Sequence, residues 1–72
     1  MMTRDEHLAW AKERALEYLD AGNLIGAFTS MSSDLSKHSE LNAIGFKLFS
    51  LGMLYVKQGD AQQLRKWIEG FN

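Results

Sequence analysis

Residues 52–72 read GMLYVKQGDAQQLRKWIEGFN. An apolar run enters a Gly59-Asp60 turn and an amphipathic run leaves it. Residues 14–31, RALEYLDAGNLIGAFTSM, do the same around Gly22-Asn23. A shift of 37 residues lays one over the other, with Tyr18 on Tyr55, Leu19 on Val56, Gly22 on Gly59 and Asn23 on Asp60. Further along, Ala27 meets Leu64 and Met31 meets Ile68. Each unit reads as a helix, a glycine turn and a second helix, because glycine enters the left-handed region cheaply and Asn or Asp caps the second helix.

Working outward from the turns gives four helices. Thr3 and Glu6 form a capping box that starts the first, about Arg4 to Asp20, with Leu8, Ala11, Ala15, Tyr18 and Leu19 on its inner arc. Asn23 caps the second, about Leu24 to Lys37, with inner residues Leu24, Ala27, Phe28, Met31 and Leu35. Its expected outer face is serine-rich, with Ser30, Ser32, Ser33 and Ser36. Serine is a mediocre helix former, so this helix needs its neighbours. Ser39 is placed to cap the third, about Glu40 to Gln58. Asp60 caps the fourth, about Ala61 to Phe71, whose inner residues are Ala61, Leu64, Ile68 and Phe71 with Trp67 at the edge. No period-two pattern suggests a strand. The expectation is a single all-α domain over residues 1–72, four helices as two helical hairpins.

The unit is similar to a tetratricopeptide repeat, on Leu51, Gly52, Tyr55 and Gly59 in the second copy and Ala15, Tyr18, Gly22, Ala27 and Met31 in the first. Leu64 stands where that pattern wants a small alanine, and the customary proline before the next helix is missing. Because solenoids normally need three or more units, two units imply a compact closed core or a dimer. A tetratricopeptide-like pair and a compact four-helix bundle both fit.

Composition narrows the function classes. The chain has 72 residues and no cysteine, so neither disulfides nor a thiolate zinc site can supplement a small core. The formal net charge is −1, which argues against general affinity for nucleic acid or anionic membrane. Residues 1–43 carry four basic and seven acidic groups, and residues 44–72 four basic and two acidic. The longest apolar stretch, IGFKLFSLGMLYV at residues 44–56, is too short to span a bilayer. The opening MMTRDEHLAW has no apolar h-region, so a cytosolic location is expected.

The third helix carries two apolar stripes: Leu41, Ile44, Leu48, Leu51 and Tyr55, and Phe46, Phe49, Met53 and Val56, with Gly45 and Gly52 between. Such a helix is either central or at an interface, and Phe46, Phe49 and Met53 are the interface candidates for a partner or a homodimer. Trp10 falls on the polar face of the first helix beside Glu13, Arg14 and Glu17. It is either a binding anchor together with Arg14, or a ring that folds back over the chain end or stacks with Arg14. Arg65, Lys66 and Trp67 form a second candidate patch for phosphate or a carboxylate-rich partner, or Trp67 is core.

Asp34 and His38 have a spacing that could place two metal ligands on one face, but no third ligand is evident. His38 and Lys37 complement the dipole at a helix C-terminus. No nucleophile stands with a base, no paired carboxylates suggest acid–base work, and the glycines are isolated helix stops rather than a phosphate cradle. No enzyme activity and no cofactor are expected.

Residues 6–38, EHLAWAKERALEYLDAGNLIGAFTSMSSDLSKH, together with the final segment at 52–72, resemble a family of small proteins encoded by tailed bacteriophages and prophages. The resemblance rests on the EYLDAGNL turn, the SDLSKH segment and the ending RKWIEGFN. It implies a short accessory protein acting in the bacterial cytoplasm, and assigns no activity or site. The expected function is therefore a protein-interaction module that binds a host or phage protein. The alternatives are a homodimer through the third helix or a regulator of nucleic-acid transactions through Arg65 and Lys66.

Overall fold

The computed structural model describes the backbone of residues 3–37 and 39–71, and the side chains of residues 3–37 and 48–71. Four helices follow in order: α1 (Arg4–Asp20), α2 (Leu24–Ser36), α3 (Ser39–Gln58) and α4 (Ala61–Glu69). The described residues contain no strand. Glu6 N donates to Thr3 Oγ1 at 3.2 Å and Thr3 N donates to Glu6 Oε1 at 3.0 Å, closing the capping box at the start of α1. Hydrogen bonds from the Thr3 backbone N–H and then its hydroxyl hold the Glu6 carboxyl below its usual range.

The two glycine turns are the same object built twice. Gly22 lies at φ 80° and Gly59 at φ 66°, a region open to glycine at little cost. Asn23 N donates to Tyr18 O at 2.9 Å and Gly22 N to Leu19 O at 2.9 Å. The second turn repeats this with Asp60 N to Tyr55 O at 3.0 Å and Gly59 N to Val56 O at 3.1 Å. Both are Schellman closures, which satisfy the last carbonyls of one helix. The next residue then caps the following helix: Asn23 accepts from Gly26 N at 2.8 Å, and Asp60 from Gln63 N at 3.0 Å. The correspondence seen at a shift of 37 residues is thus a repeated helix–turn–helix corner.

Packing closes the molecule. α1 packs mainly on α2 and α2 on α3, and α4 returns against α1, α3 and α2. The Cα radius of gyration is 11.1 Å, close to the value of about 11 Å expected for a compact chain of this length. The core comprises Leu8, Ala11, Ala15 and Leu19 from α1 and Ala27, Met31 and Leu35 from α2. Leu64, Trp67, Ile68 and Phe71 complete it from the C-terminal end. Three fully buried alanines, Ala11, Ala15 and Ala27, let α1 and α2 approach closely.

Several boundaries and faces differ from expectation. Ser39 is the first residue of α3 rather than its cap, and α4 stops at Glu69 with Gly70 as its cap. Phe71 lies beyond the helix yet is buried. Ala61 is exposed, and so is Tyr18, which sits at the margin of the α1 arc. Ser30 is buried rather than on an outer face, because the tight α1–α2 approach covers it. Neither its Oγ nor that of Ser32 has a hydrogen-bond partner among the described residues. His38 and the side chain of Phe46 lie outside the described residues.

Candidate functional site

Helix α3 divides into an inward and an outward line. Its inward line is Phe49, Gly52 and Val56, spaced three and four residues apart. Gly52 is buried, and a Cβ built there would stand 2.6 Å from Trp67 Cζ2 and 2.9 Å from Phe28 Cδ1. The indole of Trp67 therefore rests against bare backbone. It stacks on Phe28 with centroids 5.6 Å apart and meets Phe71 edge-on at 5.0 Å. Its Nε1 donates to Leu48 O at 3.0 Å, so its one polar atom is satisfied within the fold. Phe49 turns inward as well, edge-on to Phe28 at 6.4 Å.

Facing away are Leu48, Leu51, Met53 and Leu54, each between 38% and 46% exposed. At 100° per residue Leu48, Leu51, Leu54 and the partly buried Tyr55 fall within an arc of about 120°. Met53 stands apart from them, across the exposed Ser50 and Lys57. Of the interface trio expected from sequence, Met53 is exposed, whereas Phe49 packs on the core. The outward row instead uses Leu48 and Leu51 of the other stripe, joined by Leu54, which belongs to neither stripe. The signal was present in the spacing of Leu48, Leu51 and Tyr55; what hid it was that α3 is apolar around most of its girth.

The first-helix candidates are engaged in an internal cluster. Arg14 Nε donates to Asp34 Oδ2 at 2.8 Å, and Lys37 Nζ reaches Asp34 Oδ1 at 3.3 Å. His7 Nε2 donates to the backbone O of Asp34 at 2.6 Å. Asp34 is 1% exposed, and a carboxylate removed from water is tolerated only when paired in this way. Trp10 is partly buried, with Arg14 Cζ 4.9 Å and Lys37 Nζ 5.9 Å from its ring centroid, and His7 beside it at 5.2 Å. This is the stacked arrangement, and it fastens α1 to the C-terminal end of α2. A shallow groove of about 250 Å³ runs alongside, lined by Arg14, Tyr18, Thr29, Ser33 and Lys37 among others.

The C-terminal candidates do not form one patch. Trp67 is core, and Arg65 pairs with Asp20, tying α4 to the end of α1. Lys66 is exposed in the last turn of α4, where a cation complements the helix dipole. Among the described residues no cluster of three or more His, Cys, Asp or Glu is arranged to hold a metal ion. No described helix is long and apolar enough to cross a membrane. No family model matches the chain, and no curated protein or solved structure matches it.

Proposed function

We propose that this chain is a non-enzymatic protein-interaction module that docks another protein on the outward face of α3 and so alters what that protein does. The observation that carries the reading is the row Leu48, Leu51 and Leu54, three large aliphatic side chains 38–46% exposed within seven residues of one helix. Isolated exposed leucines are ordinary, whereas a contiguous apolar row on so small a surface marks a place that another molecule covers. The row lies on a regular helix whose opposite side is locked by Trp67 and Phe28, so the surface is presented preformed, which lowers the entropic cost of binding. In keeping with the resemblance to phage and prophage accessory proteins, the partner we propose is a host or phage protein in the bacterial cytoplasm.

Capture of the tagged protein from nuclease-treated host extract, run beside the Leu51→Lys variant, tests this. A stoichiometric partner that the wild type retains and the folded variant loses is the expected result. Loss of a central apolar contact typically weakens an interface by about 2 kcal/mol or more, roughly 30-fold. Equal capture by both proteins removes the α3 row from the account.

A further inference from the structure

The groove between α1 and α2 takes no residue from α3, so it stands apart from the docking face. Arg14 and Tyr18 form its α1 wall, Thr29, Ser33 and Lys37 its α2 wall, and the buried Ser30 and Asp34 lie beneath. We propose that this groove binds a phosphate group, as the free ion or on a small monoester.

The first argument is the balance of donors and acceptors. Two cations line the groove against one carboxylate, Asp34, which is 1% exposed and already paired on both oxygens. Arg14 gives only its Nε to that pair, and Lys37 reaches it at 3.3 Å with a side chain 56% exposed. The Nη groups of Arg14 and the other ammonium hydrogens of Lys37 are left to donate elsewhere. The hydroxyls of Tyr18, Thr29 and Ser33 add further donors on both walls. A groove so supplied matches a ligand with several acceptor oxygens and negative charge.

The second argument is Ser30. It is 8% exposed, and its Oγ is buried without a hydrogen-bond partner among the described residues. Buried hydroxyls are nearly always satisfied, so an orphan beneath a groove points to a partner from outside the chain. A turn about χ1 lets this hydroxyl meet an oxygen seated above it without moving the backbone.

The groups that oppose an anion are engaged or displaced. At the C-terminal end of α2, Asp34 O accepts from His7 Nε2 at 2.6 Å and Ser33 O accepts from Ser36 Oγ at 2.7 Å, which blunts the negative end of the helix dipole. Glu17 lines the adjoining hollow with Arg14, Tyr18 and Ala21 and does not line the groove. Size narrows the ligand. The groove holds about 250 Å³, below the range of about 300–1,000 Å³ that whole drug-sized ligands occupy. It therefore takes a phosphate and the few atoms beside it, not a nucleotide. Donors on two walls and beneath suit a tetrahedral phosphate better than a planar carboxylate.

Amide NMR titration of the isotope-labelled protein with phenyl phosphate, inorganic phosphate and acetate, at constant ionic strength, tests the proposal. The expected result is saturable shifts confined to residues 14–18 and 29–37, with a phosphate dissociation constant on the order of 1 mM and acetate weaker by about five-fold or more. Phenyl phosphate binding more tightly than inorganic phosphate identifies the monoester as the ligand, and equal binding identifies the free ion. Ser30→Ala removes a hydroxyl that the fold leaves unpartnered, so its melting temperature should hold or rise while phosphate binding weakens by about five-fold. Ser33→Glu sets a carboxylate on the exposed wall and should weaken binding by about ten-fold or more with the fold intact. Shifts that never saturate and fall equally on Lys57 and Lys66 are ordinary screening and overturn the proposal. So does acetate bound as tightly as phosphate, or phosphate binding unchanged in either variant.

Discussion

Trp67→Ala should melt more than 15 °C below the wild type, or show no cooperative transition at all, when followed by far-UV circular dichroism. Trp67 is 7% exposed, stacked between Phe28 and Phe71, and hydrogen-bonded to Leu48 O. Truncating a buried tryptophan costs about 3–5 kcal/mol through lost transfer energy and the cavity left behind. A chain of this length has a total stability of about 4–11 kcal/mol, and each kcal/mol moves its melting temperature by about 4–8 °C. Trp67→Phe keeps a ring against Gly52 and loses only the N–H donor and some volume, so its cost should be smaller by half or more. A Trp67→Ala protein that melts within 5 °C of wild type, a shift of only about 1 kcal/mol, would show that the aromatic stack does not organise the core.

Gly52→Val should come second in severity. The missing Cβ is what admits the indole: a carbon there stands 2.6 Å from Trp67 Cζ2 and 2.7 Å from Cε2, inside contact distance. Trp67 is itself held by Phe28, Phe71 and Leu48 O, so it has little room to yield. Overpacking of this kind costs about 1–3 kcal/mol, and the β-branch adds two further carbons. Replacing a mid-helix glycine by alanine normally gains about 1 kcal/mol. Gly52→Ala therefore sets propensity against packing, and packing should win. Chemical denaturation of both variants measures the result, and a stabilised Gly52→Ala would mean that α4 can draw back from α3 at little cost.

These two residues show what the sequence could and could not reveal. Helix starts and turns were legible because their causes are local. Thr3 with Glu6, Gly22 with Asn23, and Gly59 with Asp60 each close hydrogen bonds within a few residues. The rotation of α3 about its axis was not legible. Periodicity orients a helix by contrast between an apolar and a polar side, and α3 offers two apolar stripes with little contrast. What sets its rotation is the fit of Trp67 into the notch at Gly52, a contact 15 residues apart in sequence. The same limit explains the polar misses. Ser30 and Asp34 are buried because alanines on two helices draw α1 and α2 together, and Asp34 finds Arg14 from 20 positions away. Trp10 read equally as a polar-face anchor or as a ring stacked on Arg14, because one of the cations over its ring comes from α1 and the other from the end of α2.

The candidate site therefore moved by one stripe. Phe49 belongs to the fold, Met53 stands alone, and Leu48, Leu51 and Leu54 form the outward row. Trp10 and Arg14 tie α1 to α2, and Arg65 ties α4 to α1, so substitutions there test stability before they test binding.

The central claim is that one helix carries the core on one line and a docking face on another. Its most direct test is the thermal unfolding of a Leu51→Lys/Leu54→Lys double variant at low micromolar concentration. The expected result is wild-type helical content and a cooperative melt within about 5 °C of the wild type, since exposed substitutions away from structural features shift stability by about 0.5 kcal/mol each at most. Loss of the cooperative transition would contradict the claim, because it would make the outward row part of the core.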